Sequence, residues 1–293
     1  MTSDTLPPHG SAPATANIAL VSDRLGWEEQ RLLRHFPRAG LHGQWVNEEA
    51  LCLGRPRSGL PGFDLALIRS RSYVRGRLIA SLLEAAGTPT VNRPEAIRLC
   101  ENKLDLRRTL TAAGLPVPAF RLVLSRHDLH RSCEELGLPL VLKPLYGGGG
   151  RRVLLLRERD TLDCFYDCID DLGHGFERSC LAEPLLPGPV LRCLVVGRRP
   201  VATARFAASG TEWRSNAAAG GTAQHHPTAE GEDLAQRAAA VLGPGIYGID
   251  LFTTGAGLLI GEINHAPCYR TLAAAAPADI TEAIADHLRE VVG

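Results

Sequence analysis

Two carboxylates and an amide near the end of the chain carry the strongest chemical signal. Asp250 lies in Gly248-Ile249-Asp250-Leu251-Phe252, and Glu262 and Asn264 lie in Leu258-Leu259-Ile260-Gly261-Glu262-Ile263-Asn264. Two apolar runs joined by the glycine-bearing residues 253–257 predict a β-hairpin. Side chains alternate along a strand, so Glu262 and Asn264 share a face, and a turn centred near Ala256 sets Asp250 opposite Glu262. Like charges facing each other across a ladder repel, and burying them unpaired costs more. A divalent cation relieves both. Two carboxylates and an amide oxygen suit Mg²⁺, a hard ion that takes phosphate and water oxygens as its other ligands. The alternative is a pair of solvated surface carboxylates.

Groups suited to phosphate lie upstream. Val141-Leu142-Lys143-Pro144 ends an apolar run on a lysine, which either snorkels to the surface or meets a ligand. Gly147, Gly148, Gly149, Gly150 and then Arg151 and Arg152 follow. Consecutive glycines let backbone N–H groups approach an anion closely, and arginines add charged donors; a plain flexible hairpin loop has the same composition. The spacing matches neither G-x-x-x-x-G-K-S/T nor G-x-G-x-x-G. These glycines link two expected strands and do not open a helix, which predicts a lid over phosphates. Lys103 follows Asn102 at a helix start. A lysine in a first turn opposes the helix dipole, a misfit explained by a phosphate or tolerated in solvent. Glu212-Trp213-Arg214-Ser215-Asn216 offers a guanidinium and an amide in a long polar loop, or is an ordinary loop.

The elements that must position these groups read as three units. Residues 17–92 predict a strand at 18–22, a helix at about 27–35, a strand at 65–70 and a short strand near Thr90 and Val91. Between the last two, a helix over 73–86 sets Val74, Leu78, Leu82 and Leu83 on one apolar face. Strands alternating with helices imply a parallel sheet. Residues 93–190 begin with a helix capped by Asn102 and stopped by Gly114 and Pro116. A small α+β unit follows: strand 120–124, helix 128–136, strand 138–143, the glycine loop, strand 153–156, helix 161–171 and strand 179–183. Residues 191–293 predict strands at 192–196 and 201–206, a polar loop at 208–223, a helix at 230–242, the carboxylate hairpin and a final helix at 280–291. Residues 1–16, rich in Pro, Ser, Thr, Gly and Ala, read as a disordered tail.

With 293 residues the chain exceeds one average domain and buries a core without staples. Lys+Arg and Asp+Glu are both 32, which argues against a nucleic-acid backbone as partner. There are eight cysteines and no C-x-x-C pair; most sit in apolar runs and are expected to be reduced and buried. Cys164 and Cys168, one helical turn apart, have the spacing nearest to a ligand pair. No charged-then-apolar leader and no membrane-length apolar run occur, so a cytoplasmic protein with no membrane partner is expected.

In this order the segments resemble the ATP-grasp superfamily and, within it, the RimK-type ligases, from about residue 65 to 264 and beyond. Asn92-Arg93-Pro94-Glu95-Ala96, Glu101-Asn102-Lys103, the Gly147 to Arg151 lid and Asn264-His265 look most like the LysX and ArgX ligases of amino-acid biosynthesis. Those ligases attach an amino acid to the C-terminal glutamate of a small acidic amino-group carrier protein. The resemblance implies a mixed α/β and α+β architecture: an ATP-grasp fold behind an N-terminal pre-ATP-grasp parallel-sheet domain. It implies ATP with Mg²⁺, or Mn²⁺, held by Asp250, Glu262 and Asn264. Lys103 and Lys143 would hold the phosphates beneath the glycine flap. Glu183 and the backbone of Pro184 and Leu185 would form the hinge that reads adenine, and Arg214, Ser215 and Asn216 would meet the nucleotide. Arg192 and Arg205 would be catalytic, near the reacting phosphate. Arg69, Arg151 and His265 are assigned to the substrate, His265 as acceptor of the amine proton or as a structural residue.

The implied reaction is carboxylate–amine ligation through an acyl phosphate, with a homo-oligomer as the family's habit. Val190 stands where the pattern has an aspartate, Pro184 removes a hinge donor, and Ala219 replaces an arginine. The stretch from Ala266 to Arg270 also differs, which points to a different amino-acid substrate. Two alternatives stay open within the nucleotide-binding class: a glutamate or peptide ligase acting on natural products or protein tails, and a non-catalytic nucleotide-binding module. A kinase of the same fold is a third.

Overall fold

The computed structural model describes residues 15–53, 60–72, 74–147, 152–171, 179–207 and 222–293. Residues 1–14 of the expected tail and 208–221 of the polar loop lie outside the described residues; Ala16, expected in the tail, instead opens the first strand.

Ile18 to Val21 are wholly buried, as a central strand covered on both faces requires. This strand, β1 (Ala16–Ser22), is followed by α1 (Trp27–His35), β2 (Leu41–Asn47), β3 (Leu65–Ile68), α2 (Arg75–Ala85) and β4 (Thr90–Val91). The strands pair in parallel in the order β2-β1-β3-β4. The expected parallel sheet is present, with β2 as an edge strand that its polar sequence concealed. The face of α2 differs from expectation. Ile79, Ala80 and Leu83 are buried, while Val74, Leu78 and Leu82 are 43%, 50% and 43% exposed. A Cβ on Gly76 would stand 3.1 Å from Ser70 Cβ, so the small residues Gly76 and Ala80 bring this helix close to the sheet and turn the bulkier stripe outward.

Asn102 separates α3 (Pro94–Glu101) from α4 (Lys103–Ala112) and caps the second, its Oδ1 accepting from Leu104 N–H and Asp105 N–H at 3.0 and 3.1 Å. The lid unit then contains β5 (Arg121–Val123), α5 (Arg126–Leu136), β6 (Leu140–Pro144), β7 (Leu154–Leu156), α6 (Leu162–Asp170) and β8 (Cys180–Pro184). Its antiparallel sheet has the order β5-β8-β6-β7. Val123, Leu129, Leu140, Leu156 and Leu162 form a core private to this unit.

The last unit runs β9 (Val190–Gly197), β10 (Arg199–Ala207), β11 (Thr222–His225), α7 (Ala229–Leu242), β12 (Gly245–Thr254), β13 (Gly257–Asn264), α8 (Arg270–Ala275) and α9 (Ile280–Val292). The sheet order is β11-β10-β9-β12-β13, all antiparallel. One face packs Leu191, Cys193 and Leu251 against α4 and α7. On the other side, Leu194, Phe206, Ile284 and Leu288 share one core with Ile18, Leu20, Leu32 and Phe36 of the first unit. Asn92 pins this junction: its amide donates to Ile246 and His265 carbonyls at 2.8 and 2.7 Å and its oxygen accepts from Ile246 N–H at 2.6 Å.

The cysteines are free, but the expectation that most are buried fails: Cys52, Cys164, Cys168 and Cys268 are exposed. Cys164 and Cys168 lie on α6, whose outer face takes them to solvent. Among the described residues no helix is long and apolar enough to cross a membrane.

Glu101, at the end of α3, is buried with Oε1 unpartnered, and Arg77 Nε stands 3.7 Å from its Oε2. Burial pushes its carboxyl up to about 7 against the pull of Arg77. The folded form therefore holds a proton that the unfolded chain releases near 4.5, so this contribution to stability is full below 4.5 and is lost as pH rises through 7. Glu101→Gln is expected to match the parent near about pH 5 and to exceed its stability by about 1–3 kcal/mol at about pH 8. Urea unfolding at both values checks this; an offset that does not grow with pH contradicts it.

Candidate active site

The hairpin of β12 and β13 turns tightly. Thr254 pairs with Gly257 across Gly255 and Ala256, and Thr254 Oγ1 donates to the Gly257 carbonyl at 2.7 Å. Continued without interruption, this register would set Asp250 against Gly261 and send Glu262 to the other face. A β-bulge intervenes: Leu251 pairs with Ile260, Asp250 pairs with Glu262, and Gly261 is the extra residue. A Cβ on Gly261 would lie 2.5 Å from the Phe252 ring, so only glycine fits there. The bulge thus puts both carboxylates on one face and leaves the Gly261 carbonyl to another partner.

That face carries a row of charge. Arg192 on β9 pairs with Asp250, which pairs with Glu262. Arg192 Nε and Nη2 each reach an Asp250 oxygen at 2.6 Å, a bidentate ion pair. Lys103 Nζ stands 3.5 Å from Glu262 Oε1 and donates to the Gly147 carbonyl. Lys103 N–H also donates to Leu145 C=O at 2.9 Å, and Asn102 Nδ2 to Tyr146 Oη at 3.0 Å. The N-terminus of α4 therefore fastens the start of the glycine loop beside the carboxylate strand.

One turn along α4, Arg107 is buried. Its Nε donates to Glu183 Oε1 at 2.7 Å and its Nη2 to the freed Gly261 carbonyl at 2.6 Å. Glu183 Oε2 in turn accepts from Lys143 Nζ at 2.5 Å, and that ammonium lies 5.5 Å from the centre of the Phe252 ring. Burial alone would raise the Glu183 carboxyl, yet Arg107 and Lys143 hold it below its ordinary range. Burial, with Lys143 nearby, pushes the Lys103 ammonium down against the pull of Glu262. Burial opposes the Arg192 charge, but Asp250 overrides it and the guanidinium titrates above its usual value.

The structure thus gathers Lys103, Lys143, Glu183, Arg192, Asp250 and Glu262, with Asn264 two residues beyond Glu262 on the same strand face and paired with Gly248. Gly147 is placed at the loop's start; Gly148, Gly149, Gly150, Arg151, Arg214, Ser215 and Asn216 lie outside the described residues. Other expected residues are placed differently. Arg205 is exposed and pairs with Leu191, one position off the row of Arg192, so the strand alternation sends it to the opposite face. The Glu183 side chain faces Arg107 and Lys143, and the Leu185 N–H is engaged by Pro139 C=O at 2.9 Å. Pro139 has no N–H to return that bond, so this part of the ladder leaves the Leu185 carbonyl free to accept.

Arg69 is buried, its guanidinium held by Glu29 Oε1 and the Pro267 carbonyl, both at 3.0 Å. This joins the first unit to the segment after β13, with Glu28 Oε1 accepting from Tyr269 N–H at 3.1 Å alongside. The enclosed guanidinium therefore ties this junction together. His265 has a buried, unpartnered Nδ1, and burial together with Arg69 holds the imidazole down to about 4. It is neutral at physiological pH. Arg107 and Phe252 were missed. The signal for Arg107 was present: an arginine four residues after Lys103 shares its helical face. Gly261 inside an apolar strand likewise signals a bulge.

Among the described residues no group of three or more His, Cys, Asp or Glu gathers as a metal cluster. The donor set is two carboxylates and one amide, and a side-chain cation stands beside each carboxylate. Hard oxygen donors of this kind fit a divalent cation such as Mg²⁺, which would share the two carboxylates with Arg192 and Lys103.

A small lid-bearing antiparallel sheet, a larger sheet ending in opposed carboxylates, and lysines from both sides define the ATP-grasp class. Residues 100–288 match the RimK-like ATP-grasp domain and residues 18–99 the LysX preATP-grasp domain. The chain belongs to the RimK-like ATP-grasp family and is an ATP-dependent ligase. It is 25% identical to the glutamate–LysW ligase ArgX of Sulfurisphaera tokodaii, over 93% of this chain and 98% of that one. It is 31% identical to a probable alpha-L-glutamate ligase of Xanthomonas oryzae pv. oryzae, over 82% of this chain and 81% of that one. The crystal structure of a RimK domain ATP-grasp protein from Sphaerobacter thermophilus superposes with a TM-score of 0.78 at 28% identity, covering 93% of this chain and 99% of that one.

Proposed function

We propose that the chain joins the amine of an amino acid to the C-terminal glutamate of a small acidic amino-group carrier protein, using ATP and Mg²⁺. The observation that carries this reading is the in-register row Arg192–Asp250–Glu262 with Lys103 at its end, beside the glycine loop. The 93% coverage by a glutamate–LysW ligase points to the carrier as acceptor.

Asp250, Glu262 and Asn264 would hold Mg²⁺, which supplies positive charge to polyphosphate oxygens and draws charge from the reacting phosphoryl group. Lys103 and Lys143, kept in place by Glu262 and Glu183, bind phosphate oxygens. Arg192, fixed by Asp250, would offer positive charge to the acceptor carboxylate and γ-phosphate in an enclosed site. The acceptor carboxylate attacks the γ-phosphorus, ADP leaves, and an acyl phosphate forms. The amine then attacks its carbonyl carbon, and phosphate departs as the amide forms. Positioning supplies much of the rate.

The test is incubation with ATP, Mg²⁺, a panel of amino acids and a carrier ending in glutamate, read by ADP release and product mass. A carrier heavier by one amino acid less water supports the reading. ADP formed only with a stable phosphorylated product contradicts it. The 31% identity to a probable alpha-L-glutamate ligase favours a second reading, glutamate addition to a protein tail or peptide, which a mass gain on those acceptors alone would select.

A further inference from the structure

The buried guanidinium of Arg107 joins two places that have no reason to move together: the hinge strand β8 and the bulge of β13. We propose that Arg107 is a positioning residue, a latch that holds Glu183 and the Gly261 carbonyl at one spacing so that Lys143 and Glu262 face the same nucleotide. This deepens the ligase reading given above and rests on it.

The geometry admits few other roles. Arg107 is 1% exposed, so it meets neither solvent nor an incoming substrate. Its partners lie on different sheets, Glu183 in the lid unit and Gly261 in the last unit. The helix that carries it also holds the glycine loop through Lys103 and Asn102 one turn earlier. One helical face therefore grips the lid at two points, the flap base and the hinge, and the carboxylate strand at two points, Glu262 and Gly261. Glu183 is the shared member: one oxygen serves Arg107 and the other serves Lys143. A shift of Arg107 is passed to Lys143 through that carboxylate, and to Glu262 through the bulge beside it. The planar fork matters, because two partners in different directions need two donors fixed in one plane. Lysine supplies the charge but not the fork.

The experiment measures ADP binding by calorimetry, with Mg²⁺, for the parent, Arg107→Lys and Arg107→Met. The latch predicts that Arg107→Lys melts within about 5 °C of the parent and binds ADP about tenfold more weakly. Arg107→Met is expected to bind more weakly still. A purely structural role predicts a lower melting temperature and unchanged binding by the folded protein. Dissociation constants within about twofold of the parent in both variants would overturn the proposal. Should neither single variant fold, Arg107→Gln, which leaves Glu183 its ion pair with Lys143, is measured in their place under the same criterion. A parent that binds no ADP would sink the ligase reading and the latch with it. A parent that binds, with variants that bind equally, would sink the latch alone.

Discussion

Asp250→Asn combined with Glu262→Gln is expected to lower ATP turnover about a thousandfold or more while the fold survives. The substitutions keep shape and remove two negative charges from one face of the β12–β13 hairpin. Without them, nothing at that position draws a divalent cation to the polyphosphate. The loss should fall on kcat, because the lysines proposed to bind nucleotide remain while charge developing in the transition state goes unanswered. Stability should suffer modestly. The amide that replaces the Asp250 carboxylate would keep one acceptor for Arg192, yet that guanidinium, only partly exposed, would lose its ion pair at a cost of about 1–3 kcal/mol. ADP release and thermal melting, measured side by side, check both parts. Full Mg²⁺-dependent turnover by the double variant would remove these carboxylates from the site.

The second large effect is expected from one methyl group. Gly261→Ala places a Cβ 2.5 Å from Phe252 Cε2 and 2.9 and 3.0 Å from two more ring carbons. The ring cannot retreat freely, since Lys143 lies over it and Glu183 holds Lys143. Overpacking of this kind costs about 1–3 kcal/mol of stability. The effect on the reaction should be larger, on the order of a hundredfold, because displacement of about 1 Å at a reacting group costs that much. Phe252→Leu, which gives the methyl room, should recover most of the stability in the Gly261→Ala background. Equal activity of Gly261→Ala and parent would show that the bulge does not set the carboxylate register.

Much of this site was legible beforehand because its signals are local. Strand alternation and one turn sufficed to bring Asp250 and Glu262 face to face, although the route differed: the turn is centred half a residue earlier than Ala256, and the bulge at Gly261 restores the pairing. Asn102 announced its helix through side-chain chemistry that acts within three residues. What failed was what depends on distant partners. The outward stripe of α2 looks like a core face, and only the close approach of Gly76 to Ser70 decides which side packs. The burial of Arg69 was not legible because its partners Glu29 and Pro267 lie one at each end of the chain. Arg205 failed by a single position on its strand, which alternation turns into the opposite face. Strand β2 was hidden because an edge strand needs little apolar sequence.

The interior shared by the first and last units has a practical consequence for engineering. The segment matching a preATP-grasp domain looks like a cartridge to be exchanged between relatives to alter substrate choice. Its β-sheet, however, supplies only half of an oily interface whose other half is encoded roughly two hundred residues later. A chimera made at that border inherits two unmatched halves, so Leu194, Phe206, Ile284 and Leu288 must travel with the graft for it to seal.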